Sequence, residues 1–167
     1  MTTIRPPVES DLPAVAAVYA HYVTETVATF DETPPTVDEW RAKAAAITGA
    51  GLPFLVAEED GEVLGFAYAA RYRPKPAYRH TLEDTVYLAP GATGRGLGGM
   101  LLAELIAAAR QAGAHQLVAV VAGSGEETAS LNLHAAFGFV EAGRLRRVGF
   151  KHGRWIDTTL LQLGLGS

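Results

Sequence analysis

Residues 81–88 read Thr81-Leu82-Glu83-Asp84-Thr85-Val86-Tyr87-Leu88, and a few positions on the chain runs Thr93-Gly94-Arg95-Gly96-Leu97-Gly98-Gly99. The first stretch has the length and the β-branched and aromatic content of a strand. Alternation puts Thr81, Glu83, Thr85 and Tyr87 on one face and Leu82, Asp84, Val86 and Leu88 on the other. After the glycines an Ala/Leu-rich helix is expected from Gly98 to Ala112, closed by Gly113. Strand, glycine loop and helix in this order bring helix-start N–H groups, small residues and Arg95 around a space suited to a phosphate. The competing reading is a turn that needs glycine for positive φ, but four glycines in six positions exceed that need.

Gly94, Gly96 and Gly99 also satisfy G-x-G-x-x-G. The dinucleotide fingerprint, however, must open a βαβ unit, and too little chain follows for a complete nucleotide-binding sheet. The phosphate loop of nucleotide hydrolases fails as well, because no Gly-Lys-Ser/Thr follows.

Working outward, Thr3 to Arg5 is a short extended start. Ser10 is placed to cap a helix with apolar positions Leu12, Val15, Ala16, Tyr19, Tyr22 and Val23. Thr36-Val37-Asp38-Glu39 is a capping box opening a helix through about Ile47, ended by Gly49 and Gly51. Phe54–Glu58 and Val63–Tyr72 are strands joined by Glu59-Asp60-Gly61-Glu62, whose Asp-Gly pair favours a tight hairpin. Downstream of the glycine loop, Leu117–Val121 is a buried strand, Thr128–Phe137 a short helix, and Glu141–Val148 with Trp155–Leu163 a terminal antiparallel pair. Several consecutive strands lack an intervening helix. The fold class is therefore α+β, or mixed α/β: a central, mostly antiparallel sheet of about seven strands with helices on both faces.

At 167 residues, 49% of them hydrophobic, without repeats or low-complexity tracts, the chain is expected to form one domain over 1–167. A formal charge of −4 argues against nucleic acid or an anionic membrane as partner. The absence of cysteine removes disulfides, thiolate metal sites and cysteine nucleophiles. Met1 to Pro7 lacks the charged and apolar regions of a secretory signal, so a cytoplasmic location is expected. Asp31/Glu32 and Glu58/Glu59/Asp60 are acid clusters without a matching histidine set, read as solvated carboxylates with no metal.

The chain resembles the GNAT acyl-CoA N-acetyltransferase superfamily, whose pyrophosphate loop follows Q/R-x-x-G-x-G/A. Thr93-x-x-Gly96-x-Gly98 fits it with Thr in the first place. Within that superfamily it is similar to the phosphinothricin and methionine sulfoximine acetyltransferase group. The resemblance rests on Tyr78-Arg79-His80-Thr81-Leu82-Glu83, Val86-Tyr87-Leu88, Ser130-Leu131-Asn132-Leu133-His134, Gly138-Phe139 and Val148-Gly149-Phe150-Lys151-His152-Gly153-Arg154-Trp155-Ile156-Asp157. It implies acetyl-CoA as co-substrate, with Val86, Tyr87 and Leu88 along its pantetheine arm and Gly94, Arg95, Gly96, Leu97, Gly98 and Gly99 at its pyrophosphate. It also implies a homodimer, with the Lys151–Trp155 end near the interface; a turn and core-anchor role for Trp155 is the alternative. Glu127 stands where an Asn often helps hold coenzyme A, and it is expected to face solvent.

Amines attack thioesters as free bases, so a transferase benefits from a proton acceptor. Glu83 has the chemistry for that role, and the resemblance places the family's catalytic carboxylate there. His134 stands where relatives often carry a tyrosine that protonates the departing thiolate; it is read as that acid or as a residue lining the site. Arg71, Arg73, Lys75 and Arg79 with Pro74 and Pro76 form a rigid basic connection suited to an acceptor carboxylate, or else a solvated loop. Phe30, Arg71, Arg73, Tyr78 and Arg79 are the candidate acceptor contacts. The expected activity is acetyl transfer to the α-amino group of a small amino-acid-like compound. The alternatives are another amine acceptor and a non-catalytic acyl-CoA-binding protein.

Overall fold

The computed structural model describes residues 1–166. Seven strands, β1 (Thr2–Arg5), β2 (Phe54–Glu59), β3 (Glu62–Arg71), β4 (Thr81–Leu88), β5 (Gln116–Gly123), β6 (Val140–Lys151) and β7 (Arg154–Gly164), form one sheet in the order β1-β2-β3-β4-β5-β7-β6. Every pairing is antiparallel except β4 with β5. The helices are α1 (Leu12–Glu25), α2 (Val37–Gly49), α3 (Leu97–Gln111) and α4 (Thr128–Ala136). The mixed, mostly antiparallel sheet expected from the sequence is borne out.

Alternation on β2 and β3 assigns the helices to faces. Val56, Phe66 and Tyr68 point into a cluster with Val15, Tyr19 and Val23 of α1 and Trp40 and Ile47 of α2. Ala57, Ala67 and Ala69 point the other way, into a cluster with Leu101, Leu102, Leu105 and Ile106 of α3. Leu131 and Leu133 of α4 pack against the same side. Small residues on that face let α3 lie close to the sheet, while aromatic residues fill the wider space under α1 and α2.

The capping box forms as expected: the Thr36 hydroxyl accepts the Glu39 N–H at 3.1 Å, and the Glu39 carboxylate accepts the Thr36 N–H at 3.0 Å. Ser10, by contrast, does not cap α1; it lies in a short 3-10 turn, and Asp11 precedes the helix. The buried Asp11 carboxylate takes two hydrogen bonds from Arg5 (2.7 and 3.1 Å) and one from the Val8 N–H (2.7 Å). Fastening the helix start to β1 satisfies more polar groups than a serine cap would. The β6–β7 pair is longer than expected, and β6 shifts register between Leu145 and Gly149. Asp157 of β7 causes this locally, accepting the Arg147 N–H at 2.8 Å and the Arg144 guanidinium at 2.9 Å. Arg147 takes φ 53° there.

Candidate active site

The parallel pairing of β4 with β5 covers three residue pairs, Thr81 with Gln116, Leu82 with Leu117 and Glu83 with Val118. Beyond Glu83, β4 stays paired to β3 as far as Leu88, and β5 stays paired to β7 as far as Gly123. The two strands therefore diverge from a vertex at Glu83 and Asp84, leaving sheet-edge N–H and C=O groups facing each other across a gap. Such groups call for an extended, amide-bearing ligand. The gap opens into a cleft of about 730 Å³ lined by Glu83 to Leu88, Ala119 to Ala122, and parts of α1, α4 and the glycine loop.

At one end of the cleft lie Thr93, Gly94, Gly96, Gly98 and Gly99. Gly94 and Gly96 take φ 77° and 79°, so glycine serves the turn there, and the turn in turn aims the α3 N-terminus at the cleft. Leu97 and Arg95 do not line the cleft. Leu97 is buried against Leu64 and Ala92, and Arg95 turns to an ion pair with Glu59 of β2. Glu59 is therefore engaged rather than free in solvent. Glu127 also departs from expectation: it lines the cleft, its carboxylate accepting the Gly125 N–H at 2.8 Å.

The β4 alternation holds. Tyr87 joins the α1/α2 cluster, whereas Leu82, Val86 and Leu88 join the α3 side. Glu83 is half-buried, and burial pushes its carboxyl above the ordinary range. Asp84 adds to the rise, while Arg73 and Lys43 oppose it. A carboxylate raised in this way is better matched to accept a proton near neutral pH.

His134 lies across the sheet from Glu83, on α4, and is buried with Asp84. Its Nδ1–H donates to the Ser130 carbonyl at 2.8 Å, and Nε2 lies 2.7 Å from Asp84 Oδ2. Burial opposes a charged ring most strongly. The Asp84 carboxylate and the Ser130 carbonyl outweigh that effect and hold the His134 pKa above its ordinary value. The Phe139 ring closes the site, edge-on at 4.8 Å.

Phe30 lines the α1 side of the cleft with Ala28, Thr29 and Asp31. Lys151, buried in β6, donates to the Thr29 carbonyl at 2.7 Å, and Tyr19 bonds both Thr29 and Asp31. Asp31, read from sequence as merely solvated, is thus part of the wall. Gly149 of β6 faces the Phe30 ring so closely that an added Cβ would sit 2.5 and 2.7 Å from two ring carbons. Sequence reading did not find Asp84, Gly149, Lys151 or Tyr19 as site-forming; periodicity marks their faces but not their distant partners. Arg71, Arg73, Tyr78 and Arg79 are exposed and outside the cleft lining. Arg73 stacks on Tyr72, Tyr78 meets Tyr72 edge-on, and Arg79 bonds the Pro76 carbonyl. Trp155 is no core anchor; it is 53% exposed beside Phe150.

Comparison with known proteins agrees with this geometry. The Acetyltransferase (GNAT) family matches residues 15–139. Phosphinothricin N-acetyltransferase of Alcaligenes faecalis is 55% identical over 165 residues, covering 99% of this chain and 83% of that protein. The L-methionine sulfoximine/L-methionine sulfone acetyltransferase of Pseudomonas paraeruginosa is 40% identical, covering 98% and 94%. The crystal structure of a GNAT superfamily phosphinothricin acetyltransferase from Sinorhizobium meliloti in complex with AcCoA superposes with a TM-score of 0.94. It is 42% identical and covers 99% of this chain and 89% of that one. With its splayed β4–β5 cleft, glycine loop and matching sequence, this chain belongs to the GNAT acetyltransferase family.

Proposed function

We propose that this protein transfers the acetyl group of acetyl-CoA to the α-amino group of a small amino-acid-like acceptor of the phosphinothricin, methionine sulfoximine or methionine sulfone type, by direct transfer in a ternary complex. The observation that carries this reading is the divergence of β4 from β5 immediately beyond Glu83. It leaves a cleft with a proton acceptor at its vertex, an anion-binding glycine loop at one end, and openings toward both faces of the sheet. The names of the Alcaligenes, Pseudomonas and Sinorhizobium relatives support the acceptor class.

In this reading the free edge at Val86, Tyr87 and Leu88 receives the pantetheine amides, and the Gly94–Gly99 N–H groups receive the pyrophosphate, Arg95 and Leu97 contributing through the backbone. Glu83 takes a proton from the acceptor ammonium, directly or through water. The amine then attacks the thioester carbonyl, the surplus proton on the new C–N nitrogen passes to water, the C–S bond breaks with its electron pair going to sulfur, and His134 is assigned the proton the thiolate needs. Phe30 supplies an apolar wall. Arg73, whose charge reaches Glu83, together with Arg71, Tyr78 and Arg79, forms a basic approach to the acceptor carboxylate. Exposed Val140, Leu145, Val148, Phe150 and Trp155 on β6 and β7 form the apolar face of a homodimer in the cytoplasm.

The test is coenzyme A release by purified protein given acetyl-CoA and a panel of phosphinothricin, methionine sulfoximine, methionine sulfone, common amino acids and spermidine. Release with the first three, and weak release with spermidine, is expected. A preference for spermidine or an ordinary amino acid would reassign the acceptor; binding of acetyl-CoA with silence across the panel would favour a non-catalytic role.

A further inference from the structure

The cleft lining carries Asp31, Glu83, Asp84, Glu126 and Glu127, and among the described residues no lysine or arginine joins them. Arg95, the one cation of the glycine loop, is bound to Glu59 outside the cleft. An anion at the loop is therefore held by N–H groups and the α3 dipole alone. Any carboxylate at that end acts against them with no side-chain cation between.

Glu126 and Glu127 are the carboxylates so placed. The helix α4 lies beside the start of α3, since an added Cβ at Gly98 would sit 3.3 Å from Leu133 Cδ2. Glu127, just ahead of α4, precedes Leu133 by about 9 Å of helical rise. His134, the next residue, meets Asp84 at the vertex, so α4 runs from the cleft mouth inward. The two acids differ in their surroundings. Glu126 is exposed and bonded to Arg154 at 2.9 Å and to the Ser124 N–H at 3.0 Å. Glu127 is half-buried; its carboxylate accepts the Gly125 N–H at 2.8 Å and joins no ion pair among the described residues. Arg144, which feels the Glu127 charge, is bonded to Asp157. Two glycines build this pose. Gly125 takes φ 127°, and any side chain at Gly123 would overlap the Glu127 carboxylate.

We propose that Glu127 is a specificity-determining residue at the coenzyme end of the cleft, its charge opposing the phosphate groups of coenzyme A and leaving the pantetheine arm to carry recognition of the donor. The proposal rests on the transferase reading above. The repulsion acts alike on acetyl-CoA and on free coenzyme A, so the charge that weakens donor binding also hastens release of the product.

The test compares wild type with Glu127→Gln, which keeps the side chain's size and an oxygen for the Gly125 N–H but removes the charge. Two donors are used, acetyl-CoA and acetyl-pantetheine, which carries the same thioester without phosphate. At about 50 mM salt, Glu127→Gln is expected to lower the KM for acetyl-CoA, and the Kd for coenzyme A by calorimetry, about threefold to tenfold. The gap should narrow to under about twofold at about 0.5 M salt, where the Debye length is short. The KM for acetyl-pantetheine should stay within about twofold, so the preference for acetyl-CoA over it in kcat/KM rises. A folded Glu127→Gln protein with unchanged or weaker coenzyme A binding overturns the proposal, as does an equal gain for both donors, which would mean altered packing rather than charge. If wild type binds coenzyme A yet turns over no amine, the transferase reading falls and calorimetry alone decides the role of Glu127. If it binds no coenzyme A, both fall. Should Glu127→Gln not fold, Glu127→Ala is read by the same ratio of donors, and a ratio unchanged from wild type overturns the proposal.

Discussion

Gly149→Ala isolates the contact between the β6–β7 arm and the acceptor side of the cleft. An added Cβ would meet Phe30 Cζ most closely and lie 2.5 Å from Cε2, against 3.4 Å for ordinary contact, so the ring must give by about 1 Å. Gly149 lies on a paired strand, in register with Ile156, whereas Phe30 lies in the α1–α2 connection and is 40% exposed, so the ring moves rather than the strand. A displacement near 1 Å in a wall that orients a substrate costs up to about a hundredfold, or roughly 2.7 kcal/mol. The acceptor KM is therefore expected to rise about tenfold to a hundredfold in steady-state coenzyme A release. The KM for acetyl-CoA, which the proposed mechanism seats along β4 and the glycine loop, should stay within about twofold. Phe30→Leu removes the ring atoms that the new methyl meets. Adding Gly149→Ala to Phe30→Leu should then have little further effect, a non-additive cycle. A folded Gly149→Ala protein with the wild-type acceptor KM, or an effect of equal size in the Phe30→Leu background, would refute the reasoning.

Glu83→Gln should lower kcat/KM for the acceptor by about a hundredfold or more and remove the acidic limb of its pH profile; an active variant with an unchanged profile would exclude the base role. The same change should raise the melting temperature at neutral pH. The folded state holds the Glu83 proton more tightly than the unfolded state does, so ionisation costs stability above the folded pKa and costs nothing below the ordinary value of 4.5. A melting-temperature gain that fails to shrink as pH falls toward 4.5 would contradict that sign. Leu105→Ala, at a fully buried position of α3, should cost about 2–5 kcal/mol in denaturant unfolding. A loss under about 1 kcal/mol would mean that α3 is not packed against the sheet as described.

The features legible in the sequence are those set by neighbours. The Thr36–Glu39 box forms because both partners lie within one helical turn, and the Asp60-Gly61 hairpin forms because both residues take positive φ. Alternation on β4 separated Glu83 from Asp84 without any tertiary information, since a strand's period is two. The glycine loop was singled out by its spacing, and the family resemblance singled out Glu83 and His134; all of them line the cleft.

The tertiary structure decided what depends on distant segments meeting. Local pattern could not foresee that Asp11, held by Arg5, would stand at the start of α1 in place of a Ser10 cap, that Arg95 would turn to Glu59, or that Glu127 would line the cleft. The Lys151–Thr29 bond spans 122 residues, and the Asp84–His134 pair spans 50. Each depends on sheet order and helix placement, which long-range packing selects and a residue's own period does not encode. The parting of β4 from β5 after Glu83 has the same origin. Each strand is held by its outer neighbour, β3 or β7, and only the assembled sheet opens the gap to which the proposed chemistry is assigned.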